Sequence, residues 1–258
     1  MPDDQPSTPN PNTLTSCFWS GDALRSRRVG DRVLSDVVDI PAPPVRLLAD
    51  WAREIATQMT LGPGDVEVMP LARARMRWPD YARCVQAAAD WTASLGLPGL
   101  LAECDVALMV CRGARFHHDG DQYGGAAFCN LFLSESSEDS RQDVYFPSLD
   151  RRIALRRGTV LLFDTCQPHG VVPRGADRFD PADFPAGRDG QDNAQVFLTW
   201  ELPIEDARVA RLLGVAFDQD PAAAARARQE QAEQVQRNGQ RLRVCPSTGQ
   251  WLPIDLPD

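Results

Sequence analysis

The chain has 258 residues, 43% of them hydrophobic and 24% charged, and a formal net charge of -9 at pH 7. That length can bury one sizeable core, and the composition is ordinary for a globular enzyme. The negative balance argues against a general affinity for nucleic acid or anionic membranes, both of which require a basic field.

Every basic residue is Arg, since the sequence contains no Lys; codon usage in a GC-rich genome explains this without invoking function. No run approaches the roughly 18 apolar residues of a membrane span. The first residues, MPDDQPSTPNPNTLTS, lack the basic start and apolar centre of a signal peptide. Seven scattered cysteines with no CxxC pair suit reduced thiols, so a cytoplasmic protein is expected.

In chain order, residues 1–16 are Pro, Ser, Thr, Asn and Asp with almost no apolar content, and they read as a disordered tail. Residues 17–258 then read as a single domain. PPVRLLADWAREIATQM predicts a helix with Pro44 in its first turn and Leu48, Trp51, Ile55 and Met59 on one face. A second amphipathic helix is predicted from about Pro79 to Ser94, with Tyr81, Val85, Ala88 and Trp91 or Thr92 inward, ended by LGLPG.

From about residue 103 the texture changes to short β-prone runs: DVALMVCR, AAFCNLFLS, DVYFP, RIALRR, TVLLFD and QVFLTWEL. Gly, Asp, Pro and Ser clusters separate them. Helices followed by many short strands predict an α+β chain whose body, about 103–202, is an antiparallel barrel or jelly roll. The loop 173–194 is long and polar, as functional or mobile loops are. Asp220-Pro221 resembles an N-cap and first helical residue, so a C-terminal surface helix is expected over PAAAARARQEQAEQVQRNG. RLRVCPSTGQWLPI reads as a closing hairpin.

There are three histidines, and their placement is informative. Two stand in FHHDGD, and the third, His169, follows TVLLFD about fifty residues later. On a strand, residues two apart point the same way, so His117 and Asp119 should converge while His118 turns away to packing or substrate contact. Two neutral imidazoles and one carboxylate on one face of a metal leave three adjacent positions open, the donor set of non-haem iron(II) oxygen chemistry. A surface or hydrogen-bonded core histidine is the commoner role for any one of these residues. The joint spacing favours a metal site of His117, Asp119 and His169.

With GARFHHD, FCNLFLS and RRGTVLLFDTCQPHGVVP in order, the chain resembles the 2-oxoglutarate and Fe(II)-dependent oxygenases, in particular their prolyl-hydroxylase-like branch. The resemblance implies a double-stranded β-helix (jelly roll) with N-terminal supporting helices and a C-terminal helix. It implies Fe(II) on the triad and 2-oxoglutarate as co-substrate, converted to succinate and CO₂ as a small molecule or a peptide or protein side chain is oxidised. It also implies a basic residue for the far carboxylate on the strand after His169. Gln195 stands there, and Arg174, Arg178, Arg188, Arg112 and Arg115 are the possible substitutes. Tyr123 and Asn130 are further candidates for lining the pocket. Arginines around the mouth would suit an anionic small molecule or an acidic peptide. Two alternatives stand beside this reading: a cupin-like metalloenzyme that needs no 2-oxo acid, and a barrel that binds without turnover. Keeping all three ligand types argues against the last.

Overall fold

The computed structural model describes residues 13–134, 141–185 and 194–254. The antiparallel body forms from short apolar strands whose successive side chains point to opposite faces. Its larger sheet contains β3 (Leu34–Val37), β4 (Val66–Met69), β5 (Val106–Cys111), β7 (Ala126–Phe132), β10 (Thr159–Asp164) and β12 (Gln195–Pro203), in the order β3-β10-β7-β12-β5-β4. The smaller sheet contains β6 (Ala114–His117), β8 (Gln142–Phe146), β9 (Arg151–Ala154) and β11 (His169–Pro173), in the order β6-β11-β8-β9. From β5 to β12 the chain alternates between the sheets in the crossing pattern of a double-stranded β-helix.

The period of two in β12 shows how this body is held. Val196, Leu198, Trp200 and Leu202 enter the core on the outer face of the larger sheet. There they meet α1 (Val45–Gln58), α2 (Leu71–Arg77) and α3 (Tyr81–Ser94) through Trp51, Ile55, Trp78, Cys84 and Trp91. Each such side chain contributes roughly 1.5–3 kcal/mol when fully buried. Phe197, on the opposite face, joins Phe132, Leu161 and Phe163 against Val144, Phe146 and Val171 of the smaller sheet. This second layer closes the barrel interior.

Gly113 separates β5 from β6. DVALMVCR and the ARFH that follows it are therefore strands in different sheets. At Gly113 φ is +62°, and a Cβ would lie 2.7 Å from the Phe184 ring. Only glycine tolerates both the left-handed turn and that approach.

The third sheet has the order β13-β2-β1-β14-β15-β16 and was not legible beforehand, except for its last hairpin. It joins β1 (Leu14–Ser20) and β2 (Ala23–Arg28) to β13 (Ala216–Phe217), β14 (Gln234–Arg237), β15 (Gln240–Val244) and β16 (Trp251–Pro253). Residues 1–12 of the expected tail lie outside the described residues, but Leu14, Thr15 and Ser16 belong to β1, with Ser16 fully buried. Polar residues of low apolar content are ordered here by pairing with β2 and β14.

The C-terminal helix is shorter than its propensity suggested. A short α5 (Ala207–Leu213) precedes α6 (Pro221–Glu230), where Asp220 caps by accepting from the Ala223 N–H. Gln231 then turns left-handed at φ 52°, and the Gln-rich segment continues as β14 against β1. Strand pairing outweighs the helix preference of Gln and Glu there.

Candidate metal centre

His117 closes β6 and His169 opens β11, and the two residues are register partners across the smaller sheet. Their rings lie 4.4 Å apart between centroids. His117 Nδ1 is 2.7 Å from the Arg115 carbonyl oxygen, and His169 Nδ1 is 3.0 Å from that of Gln167. A carbonyl can only accept, so each Nδ1–H donates and each Nε2 keeps its lone pair free for a metal. Those Nε2 atoms stand 3.6 Å from Asp119 Oδ1 and 3.6 Å from Asp119 Oδ2, respectively. One donor atom from each residue fits within a mutual span of 4.8 Å. A metal about 2.1 Å from each ligand would hold cis donors roughly 3–3.5 Å apart, so a small inward shift completes the face.

Asp119 reaches this place by a different route from the strand geometry expected of it. It is the residue before a short helix, α4 (Gly120–Tyr123), and its side chain makes no capping hydrogen bond. The carboxylate therefore remains available. Its backbone N–H donates to the Thr165 carbonyl at 2.8 Å. Gly120 follows because a Cβ there would meet Cys166 Sγ at 2.5 Å. His118 turns away: its ring packs on Trp251 at 5.2 Å, and its Nδ1 accepts from the Gly120 N–H.

Beneath this turn lies a fully buried ion pair. Arg27, on β2, donates to both Asp164 carboxylate oxygens at 2.5 and 2.8 Å and to the Gly124 carbonyl. Asp164 also accepts from the N–H groups of Gly30 and Cys166. The adjacent Thr165 hydroxyl reaches the carbonyls of Tyr123 at 2.7 Å and Ala126 at 2.9 Å. The ends of α4 and β10 are thereby held together, and the Thr165 carbonyl that orients Asp119 is fixed. Nothing in the ALRSRR sequence of β2 marked Arg27 as buried.

Burial, reinforced by the neighbouring His117, pushes the His169 pKa down to about 4. At neutral pH it is the uncharged imidazole that a metal requires. Phe163 and Phe146 pack on this ring at 4.8 and 5.7 Å between centroids, limiting its rotation.

The triad opens into a cavity of about 450 Å³ between the sheets. Of the predicted co-substrate residues, Tyr123 and Asn130 line it. Gln195, Arg174 and Arg178 do not. Gln195 is 1% exposed at the start of β12 and accepts from the Ser134 hydroxyl. The stacked rings of Phe132 and Phe197, 4.9 Å apart, belong to the cavity wall between it and Thr199. Arg174 lies beside Asp143, and Arg178 is exposed on the following turn. Arg112 donates to the Leu61 carbonyl, Arg115 pairs with Asp65, and Arg188 lies outside the described residues.

Sequence reading missed Thr199 and Glu201, which face the cavity by alternation from Phe197 along β12. Among the described residues its charged lining consists of the carboxylates of Asp119 and Glu201, with no Arg. The anion-attracting mouth expected from nearby arginines is therefore not present in this wall. Glu201 has its pKa raised by burial and by Asp105.

No protein-family model matches the chain, and no curated protein matches it. Among solved structures it is similar to a viral collagen prolyl hydroxylase from Paramecium Bursaria Chlorella virus-1, described as a 2OG complex, at 11% identity, covering 66% of this chain and 94% of that one, with a TM-score of 0.37. It is similar to a Pseudomonas putida prolyl-4-hydroxylase at 14% identity, covering 66% and 92%, with a TM-score of 0.37. It is also similar to EvdO2 from Micromonospora carbonacea var. aurantiaca at 10% identity, covering 69% and 86%, with a TM-score of 0.38.

Proposed function

We propose that this chain is a non-haem Fe(II)-dependent dioxygenase that uses a 2-oxo acid, 2-oxoglutarate by resemblance, to oxidise a small molecule or a peptide or protein side chain. The observation that carries this reading is the convergence of His117 Nε2, His169 Nε2 and the Asp119 carboxylate in one cavity wall between the sheets. Two neutral nitrogens and one carboxylate suit Fe(II) and leave one face open to the cavity. Iron held by these three residues would supply dioxygen activation. The protein's own residues do the rest. His117 and His169 hold fixed tautomers through Nδ1–H, Phe146 and Phe163 keep the His169 ring in place and exclude water, and Thr165 aligns Asp119. Seven cysteines that form no disulfide suit a reducing cytoplasm.

A second reading is favoured by one observation: the cavity wall offers no cation among the described residues. A cupin-like oxygenase that needs no 2-oxo acid would not require one. Turnover of 2-oxoglutarate to succinate and CO₂ with Fe(II) supports the first reading. Oxygen consumption that ignores 2-oxo acids supports the second. His169→Ala should reduce bound iron from one equivalent to near zero, and unchanged iron stoichiometry in that variant would sink both.

A further inference from the structure

The mouth of the cavity lies where its lining side chains meet solvent. Val68 on β4 is 67% exposed, Glu201 on β12 is exposed, and Tyr123 and Phe128 are half-buried, whereas Phe132 and Leu161 deeper in are buried. The mouth therefore presents an apolar strip, a pair of rings and a carboxylate.

The rings and the carboxylate stand together. Glu201 and Phe128 are register partners on β12 and β7, and the Phe128 ring meets that of Tyr123 edge-on at 5.1 Å between centroids. On its other side the Glu201 N–H donates to the Asp105 carbonyl at 3.4 Å, so two acidic residues face each other across neighbouring chains of the sheet. Like charges so placed repel, and burial together with Asp105 pushes the Glu201 carboxyl up. Among the described residues neither carboxylate makes an ion pair or a hydrogen bond. Burial, then the charges of Glu201 and Asp119, pushes the Tyr123 phenol up, as befits a ring standing between Glu201 and the triad.

A cation would satisfy all of these groups at once. It relieves the repulsion between the carboxylates, and an aromatic ring attracts a cation within about 6 Å of its centroid. A cleft lined by one sign of charge also concentrates ions of the other sign. The strand order then sets how far the cation lies from the triad. Phe128 pairs with Phe163, which packs on His169 at 4.8 Å. Glu201 is thus level with the metal end and two strands from Phe163, roughly 10 Å at the usual strand spacing.

We propose that Glu201, Tyr123 and Phe128 form a subsite for an alkylammonium group on the substrate, whose chain lies against Val68 and Met109 and points toward the triad. This rests on the oxygenase reading above and names the class of substrate that reading leaves open. A free amine and a lysine side chain carry the same group.

The test is calorimetric titration of Mn(II)-loaded full-length protein at pH 7 with hexylammonium and with 1-hexanol, which share a chain and differ in the charge of the head. The cation should bind at least about tenfold more tightly, and raising salt tenfold should weaken it at least about threefold while leaving the alcohol unchanged. Glu201→Gln should bring the two ligands within about twofold of each other, and Tyr123→Leu should weaken the cation about threefold more than the alcohol. A general loss of fold would not produce such changes in ratio. Nα-acetyl-lysine N-methylamide presents the ammonium on a peptide backbone: binding tighter than that of hexylammonium assigns the subsite to a peptide side chain, and weaker binding assigns it to a free amine. A cation that binds no better than the alcohol, or a preference that survives in Glu201→Gln, would overturn the subsite even where 2-oxoglutarate is turned over. Absence of that turnover beside an intact preference for the cation would instead remove the oxygenase reading and leave the cation subsite.

Discussion

The two ends of the cavity are built on opposite principles. Beneath the triad Arg27, Asp164, Thr165 and the carbonyls of Gly124 and Tyr123 satisfy one another. At the far end Asn130 Oδ1 and Thr199 Oγ1 are left without partners. The network at the first end holds the triad's directions in place, as a set of metal ligands would need. The second keeps two buried oxygens unpaired.

Removing the guanidinium is the strongest challenge to that contrast. Arg27→Leu leaves the Asp164 carboxylate buried without its partner, and denaturant unfolding should show a loss of about 3–5 kcal/mol, with weaker metal binding alongside. A loss below about 1 kcal/mol would mean that the metal end is not tied as described. A paired comparison then sharpens the contrast. Thr165→Val deprives the Tyr123 or Ala126 carbonyl of its donor and should cost about 1–3 kcal/mol, whereas Asn130→Leu should leave ligand-free stability within about 1 kcal/mol of the parent in either direction. Equal losses in the two variants would erase the distinction.

The smallest effect is kinetic. Hydroxyls of Ser247 and Thr248 pull the Cys245 pKa down to about 6, while burial pushes that of Cys166, beside Arg27, up to about 12. At pH 8 iodoacetamide should alkylate Cys245 first and leave Cys166 protected. Below pH 6 the Cys245 rate should fall about tenfold per unit as its thiolate is protonated. Equal reactivity of Cys166 would indicate that the metal end opens freely.

Much of the barrel was legible because its strands are short, apolar and separated by turn residues, as in TVLLFD and QVFLTWEL. The triad stood out because histidine is scarce in this chain. What sequence could not supply was partnership over distance. Arg27 lies in ALRSRR, a run whose charge reads as surface, and its partner Asp164 is 137 residues away. Gln234 and Gln236 read as part of a helix, yet they are buried in a strand that pairs with β1. Thr199 was hidden for a related reason: a threonine in a strand is ordinary until the unpartnered amide beside it is known.

The N-terminal hairpin carries the guanidinium that braces Asp164, so the boundaries of the barrel core and of the working unit do not coincide. A recombinant fragment trimmed to residues 103–202 would retain His117, Asp119 and His169 while discarding Arg27 and the sheet that delivers it. Grafting this barrel, or shuffling its loops, therefore has to carry the first strands as cargo. Evolution faces the same constraint: substitutions in β2, remote in sequence from the triad, would be felt there.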